Sequence, residues 1–253
     1  MCATCGCGAD EVVVTALDHN DGHVHSDHHH HDHIHDDRST RTLVLEQAVL
    51  AKNDLLAEAN RSWLGERGIL AVNLMSSPGA GKTTLLERTI TDLSAEVPMA
   101  VVEGDQETLL DADRIRATGC RVVQINTGAG CHLDADMVAR GLQALDPAAG
   151  SVLLIENVGN LVCPAMFDLG ERAKVVIMSV TEGHDKPLKY PQMFRAAELM
   201  VLNKIDLLPY VSFDPEACIR YARQVNPALD VVSVSATRGD GLEGWYGWLR
   251  ERR

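Results

Sequence analysis

Apolar positions along this chain follow two rhythms. Between Leu43 and Trp63 they recur at helical spacing, at Leu43, Val44, Leu50, Leu56 and Trp63. That spacing predicts a helix, with Gly65 and Gly68 as its stops. Beyond it, short and nearly continuous apolar runs alternate with helix-like segments. The runs are Ile69–Met75, Met99–Val102, Val122–Ile125, Val152–Ile155, Val175–Val180, Leu199–Leu202 and Val231–Val234. Strands alternating with helices predict an α/β fold built on a mostly parallel sheet of about seven strands, with helices on both faces. Runs that are apolar at every position suit strands buried on both sides. No run is long enough to span a bilayer, and no internal repeat is visible.

The first strand leads directly into Ser76-Ser77-Pro78-Gly79-Ala80-Gly81-Lys82-Thr83-Thr84, followed by Leu85 and Leu86. Strand, glycine-rich loop and helix in that order are what a phosphate-binding loop requires, and they predict a P-loop NTPase. Backbone N–H groups and the helix N-terminus would cradle the phosphates. Lys82 is expected to reach the β- and γ-phosphates, and the Thr83 hydroxyl to ligate Mg2+. The usual loop opens on Gly where this chain has Ser76, but Gly79 and Gly81 preserve the tight turn.

A base-reading segment comes later. Leu199–Leu202 ends in Asn203-Lys204-Ile205-Asp206. A carboxylate only accepts hydrogen bonds, so Asp206 matches the N1–H and amine of guanine and rejects adenine. Asn203 can hold the loop, and the Lys204 stem can lie over the ring. Ser235 and Ala236, after the next strand, would give a supporting contact. Two further strand ends suit a GTPase. Glu103-Gly104-Asp105 brings carboxylates to the phosphate end, and Glu156-Asn157-Val158-Gly159 has the form of a γ-phosphate switch with Glu in place of Asp. Asp105 and Glu156 are the expected Mg2+ or water-positioning groups beside Lys82, and Gly159 the expected phosphate contact. A solvated charge at a strand end is the plainer alternative for each.

Metal-ligand chemistry clusters beside these switches. Cys131 and His132 follow the third strand in a glycine-rich loop, and Cys163 follows the switch. Loops at the same end of neighbouring parallel strands can meet, so these three residues predict a nickel or zinc site with a position left for water or a second subunit. Asp136 and His184 are weaker candidates, while Cys120 and Cys218 are expected to be structural.

Composition changes the picture mainly by its unevenness. The chain has 253 residues, with 23 Lys+Arg against 36 Asp+Glu, a net charge of −13. Such a balance disfavours nucleic acid as a partner. The first residues lack a basic start and an apolar run, so no secretory signal or membrane insertion is expected and the cytoplasm is the expected compartment. Nine of the 11 His lie between His19 and His35, and residues 1–42 carry eight acidic groups against Arg38 and Arg41, a net of −6. That segment has too little apolar area to offset chain entropy and is expected to be a disordered metal-binding tail preceding a domain over 43–253. Cys2, Cys5 and Cys7 can close around one metal, and thiolates in a reducing compartment favour that over a disulfide.

In order along the chain, the Cys2/Cys5/Cys7 cluster, the His-rich tail, Ser77–Thr83, Gly130-Cys131-His132-Leu133-Asp134, Glu156–Pro164 and Asn203–Asp206 resemble the HypB family. These are the GTPases that insert nickel during nickel–iron hydrogenase maturation. The resemblance implies slow GTP hydrolysis and a GTP-promoted homodimer. It implies partnership with a HypA-type zinc protein and delivery of nickel to the hydrogenase large subunit precursor. It places a high-affinity Ni2+ site on Cys2, Cys5 and Cys7, and a nucleotide-linked Ni2+ or Zn2+ site on Cys131, His132 and Cys163. Rivals are a urease-type nickel GTPase, disfavoured because Ala165 rather than His follows Cys163-Pro164, a cobalamin-enzyme chaperone, and a metal store with a vestigial P-loop.

Overall fold

The structure, a computed structural model, describes residues 37–105, 110–128 and 130–253, and side chains from residue 48 onward. Two units are distinguished, Met1–Val49 and Leu50–Arg253. Of the first, residues 37–49 are described and are helical. Cys2, Cys5, Cys7 and the His-rich run lie outside the described residues. No described helix is long and apolar enough to cross a membrane.

The elements alternate as the apolar rhythm predicts. Helix α1 (Asp37–Glu66) leads to β1 (Leu70–Ser76), α2 (Lys82–Leu93), β2 (Met99–Asp105), α3 (Leu110–Ala117), β3 (Arg121–Asn126) and α4 (Ala135–Leu145). Then come β4 (Val152–Glu156), α5 (Cys163–Met166), β5 (Ala173–Ser179), α6 (Lys186–Lys189), α7 (Pro191–Ala196) and β6 (Leu199–Asn203). A 3-10 turn (Ile205–Tyr210), α8 (Pro215–Val225), β7 (Asp230–Ser233) and α9 (Leu242–Glu251) complete the chain. All seven strands are parallel, in the order β3-β2-β4-β1-β5-β6-β7.

Alternate residues of each central strand feed opposite cores. Val72, Leu74, Leu154, Val175 and Val201 face Leu85, Ile90, Trp245 and Leu249 of α2 and α9. Ala71, Val102, Leu153 and Ile155 face α1 and α4 through Leu64, Val138 and Leu142. Met75, Val176 and Met200 face α7 and α8 through Phe194 and Cys218. Burial on both faces explains why the strands read as unbroken apolar runs.

Two differences from the sequence expectation bear on the site. Strand β2 runs three residues past Val102, so Glu103 and Asp105 are strand residues, in register with β4 and β3. On α1 the predicted Leu50 and Trp63 do pack against the core, but only partly buried, and the fully buried line is a different one. It is Asn53, Ala57, Asn60 and Leu64, whereas Leu56 is half-buried and Leu55 is 77% exposed. Hydrogen bonds from the two asparagines replace part of the apolar contact.

Strand β1 lies at the centre, between β4 and β5. The chain crosses to β2 on one side and β5 on the other, so the C-terminal strand ends around β1 form a crevice where ligands of open α/β sheets bind.

Candidate nucleotide and metal site

The phosphate loop closes the C-terminal end of β1. Gly81 stands at φ 96°, a left-handed conformation that L side chains rarely adopt, and a Cβ there would lie 2.6 Å from Asn203 Nδ2. Only glycine fits between the loop and β6. Lys82 Nζ donates to Ser76 Oγ at 3.0 Å, so the serine that replaces the usual glycine holds the lysine in place. Burial lowers the Lys82 pKa, against the pull of Glu156, Asp111, Glu103 and Asp105. The lysine therefore sits desolvated where an anion would restore its charge. Ser77 Oγ donates to Glu182 Oε2 at 2.6 Å, which ties the loop to the turn after β5.

Glu103 and Glu156 are direct register partners at the ends of β2 and β4. Both are buried, and among the described residues Oε2 of each has no hydrogen-bond partner. Thr83 Oγ1 donates to Glu156 Oε1 at 2.8 Å. Burial, then repulsion from Glu156, raises the Glu103 pKa to about 8; burial raises that of Glu156 to about 7 against the pull of Lys82 and Thr83. Two buried carboxylates with bare oxygens beside a threonine hydroxyl suit a divalent cation such as Mg2+, which takes oxygen ligands. Asp105 lines the same cleft, whose volume is about 510 Å3, with Gly79, Thr84, Asp111, Arg114, Gly159 and Lys204. Arg114 donates to Thr84 Oγ1 at 3.1 Å and pairs with Glu87 at 2.5 Å.

The base segment is knitted onto the phosphate loop. Asn203 Nδ2 donates to Ala80 O at 3.0 Å, and its Oδ1 accepts from Ala236 N at 3.2 Å. Lys204 Nζ donates to Gly79 O at 2.6 Å. Ser235 Oγ donates to Asp206 Oδ1 at 2.6 Å and orients that carboxylate. Ala236 thus supports Asn203 through its N–H.

The metal candidates also converge. Cys131 Sγ lies 3.0 Å from Cys163 Sγ and 3.6 Å from His132 Nδ1. One ligand atom from each falls within 4.8 Å of the others. Both thiols are buried. His132 stacks on Phe167 with ring centroids 3.9 Å apart, and burial lowers its pKa, which favours the neutral ring that metal ligation requires. Two thiols and an imidazole suit nickel or zinc. Asp136 instead pairs with Arg140 at 2.7 Å, and His184 packs between Phe213 and Tyr221. Cys218 is buried in the core, and Cys120 is half-buried with Sγ 3.4 Å from Met99 O.

Asn157 joins the two halves of the site. Its Oδ1 accepts from Leu133 N at 3.1 Å, next to His132, and from Val158 N at 3.0 Å, in the switch. Its Nδ2 donates to Asn73 Oδ1 at 3.2 Å, and Asn73 donates to Glu171 Oε1 at 3.1 Å. In the sequence Asn157 stands only as a motif letter and Glu103 only as a carboxylate near the phosphate end without an assigned role, and Asp111 and Arg114 are not marked at all. Glu103 carried a signal, being the β2 carboxylate that shares a sheet face with Glu156. Asp111 and Arg114 carried none, because their approach depends on how α3 packs.

Residues 70–233 match the family model described as CobW/HypB/UreG, nucleotide-binding domain. The chain is 47% identical to the hydrogenase maturation factor HypB of Escherichia coli strain K12, with 100% of this chain and 99% of that protein covered. It is 59% identical to HypB of Azotobacter vinelandii over 85% of this chain and 71% of the relative. Among solved structures, HypB from Archaeoglobus fulgidus superposes with a TM-score of 0.75 at 44% identity, covering 80% of this chain and 98% of that one. HypB from Helicobacter pylori in complex with nickel superposes with a TM-score of 0.74 at 38% identity, covering 79% and 94%.

Proposed function

The chain belongs to the HypB family of hydrogenase maturation factors, within the CobW/HypB/UreG nucleotide-binding domains, and on that premise we propose that it is a GTP-hydrolysing nickel carrier. One observation carries the proposal. Glu156–Gly159 lines the phosphate cleft, while Asn157 in that stretch bonds the backbone beside His132 and the same loop continues to Cys163. Nucleotide state and metal ligation therefore share one piece of chain.

GTP enters with its phosphates in the Gly79–Thr84 loop and its guanine on Asp206, held ready by Ser235. Thr83, Glu103 and Glu156 would hold Mg2+, which when bound neutralises charge that develops on the phosphate oxygens. Lys82, already desolvated, pairs with the transferring phosphate. Asp105 is left to orient the attacking water and Gly159 to donate its N–H to the γ-phosphate. Hydrolysis removes that last contact, the switch relaxes, and Asn157 passes the change to Leu133 and so to His132 and Cys131. Nickel, the cargo, is held by Cys131, His132 and Cys163 in one nucleotide state and released in the other, with zinc a competitor for the same ligands. The nickel complex of the Helicobacter pylori relative supports nickel as that cargo.

In this proposal Cys2, Cys5 and Cys7 capture nickel and the His-rich segment stores it. The recipient is the hydrogenase large subunit precursor in the cytoplasm, with a HypA-type protein and a GTP-promoted homodimer completing the transfer. Complementation tests it. A bacterial strain lacking its own nickel-insertion GTPase would receive this gene or its Cys131→Ala version. Hydrogenase activity is expected with the first and a large loss with the second. No activity from the intact gene would overturn the proposal.

A further inference from the structure

Cys131 and His132 sit on the loop before α4 and Cys163 opens α5, and the segment that follows each, at Ala135 and at residues 168–171, is fastened to α1. In the first segment, Ala135 is three residues beyond His132 and is the first residue of α4. Its N–H donates to Asn53 Oδ1 at 2.9 Å, and its carbonyl accepts from Asn60 Nδ2 at 2.8 Å. In the second, residues 168–171 follow Phe167, the ring that stacks on His132. Asn53 Nδ2 donates to Asp168 O at 2.8 Å, Asn60 Nδ2 to Leu169 O at 3.0 Å, and Arg61 to Glu171 O at 2.8 Å. Arg61 also pairs with the Asp168 carboxylate.

The fit of the second segment onto α1 is backbone against backbone. Gly170 has φ +88°, and a Cβ there would lie 2.5 Å from Ala57 O and 2.8 Å from Arg61 N. Asn53 and Asn60 are 5% exposed each, and each bridges both segments at once. A buried amide is costly unless its hydrogen bonds are made. A helix that needed only to cover the sheet would use leucines at these positions. Two asparagines with partners at the start of α4 and just past α5 fix the distance between these segments, and so bear on the distance between Cys131 and Cys163.

We propose that Asn53 and Asn60 of α1 are positioning residues for the Cys131/His132/Cys163 metal site, acting through the backbone of Ala135, Asp168 and Leu169. They touch no metal. They set the separation of the two segments, as groups behind a ligand shell set its geometry and affinity. The inference rests on the reading of those three residues as a metal site.

The test uses the full chain loaded with Co2+, whose thiolate charge-transfer and visible bands report ligand identity and geometry. Bands lost on Cys131→Ala are assigned to this site, which separates it from the amino-terminal cysteines. Asn53→Leu and Asn60→Leu keep a helix-compatible, buried side chain and remove the bridges. Leu64→Ala, on the same buried face, destabilises α1 while leaving every hydrogen bond from α1 to Ala135, Asp168 and Leu169 in place. The expected result is about tenfold weaker Co2+ binding at this site, with shifted visible bands, in both leucine variants. Asn53→Asp, which keeps the acceptor for Ala135 N, is expected to lose less. Leu64→Ala is expected to lower the melting temperature and leave the bands in place. Unchanged bands and affinity in the leucine variants would overturn the positioning role, as would an equal loss in Leu64→Ala. Wild-type protein with no Cys131-dependent bands would instead remove the metal site itself, and the inference with it.

Discussion

Glu103 and Glu156 show how a single register decides the chemistry of a cleft. Each is buried, each carries an oxygen without a partner among the described residues, and each holds its proton to a higher pH than an ordinary carboxyl, to about 8 and about 7. The two titrate as a pair. In the folded chain without a cation the pair is largely protonated at neutral pH, while the unfolded carboxyls lose their protons near 4.5. The folded state thus binds more protons, and stability falls as pH rises from about 4.5 through 8. A divalent cation needs both carboxylates, so its binding releases protons. Mg2+ affinity measured with GDP present is expected to rise through about pH 7 and 8 and then level. Glu103→Gln is expected to flatten that rise and to lower GTP turnover at least about tenfold by removing one ligand. A Mg2+ affinity independent of pH in the wild type would contradict the pairing. The sequence displays both Glu103 and Asp105, and it favours Asp105 as the more familiar ligand. The alignment of β2 on β4, which brings Glu103 beside Glu156, is a tertiary fact that neither strand's own sequence encodes.

Elements were legible where the chain carries its own instructions locally. The phosphate loop is contiguous and its glycines are demanded by backbone angle, so Gly79–Thr84 reads directly. Asn203–Asp206 reads because it ends a buried strand, and the seven apolar runs read because both faces of the sheet are covered. Helix α1 misleads for the opposite reason. Its apolar letters suggest a face through Leu50, Leu56 and Trp63, but its buried line is Asn53, Ala57, Asn60 and Leu64. Hydrogen bonds to distant backbone groups decide that orientation, and an apolar pattern does not record them. This gives a contrast on one helix. Leu64→Ala is expected to cost about 2–4 kcal/mol in denaturant unfolding, because Leu64 is buried against α4 and β4. Leu55→Ala is expected to stay within about 0.5 kcal/mol, since that side chain is exposed. Comparable losses at both positions would mean that the side of α1 bearing Leu55 also meets the core, against the observed burial.

At the scale of the whole molecule, the strand order turns two local motifs into one device. Strand β4 lies between β2 and β1, so its C-terminal loop passes the phosphate cleft before it reaches Cys163. The metal loop after β3 lands on the same region, and Asn157 bonds it at Leu133 N. In the proposed switch, a nucleotide that moves Glu156–Gly159 relative to Leu133 would strain or relax that bond, and a metal that fixes Leu133 would act back on the switch. Equilibrium coupling is reciprocal. The factor by which Ni2+ changes GTP affinity must equal the factor by which GTP changes Ni2+ affinity at Cys131, His132 and Cys163, and couplings of this kind are typically about 1–3 kcal/mol. Calorimetric titration of GTP into the full chain, with and without Ni2+, is expected to show the difference, and Cys131→Ala is expected to abolish it. Asn157→Ala leaves the buried Leu133 and Val158 N–H groups without their acceptor, so some stability is lost. The coupling factor is a ratio measured within one protein, and below the melting temperature that loss cancels from it. If Asn157 is the link, the factor falls toward one in the variant while each ligand still binds. A factor unchanged in Asn157→Ala would route the coupling elsewhere, and equal GTP affinities with and without Ni2+ in the wild type would leave nothing to route.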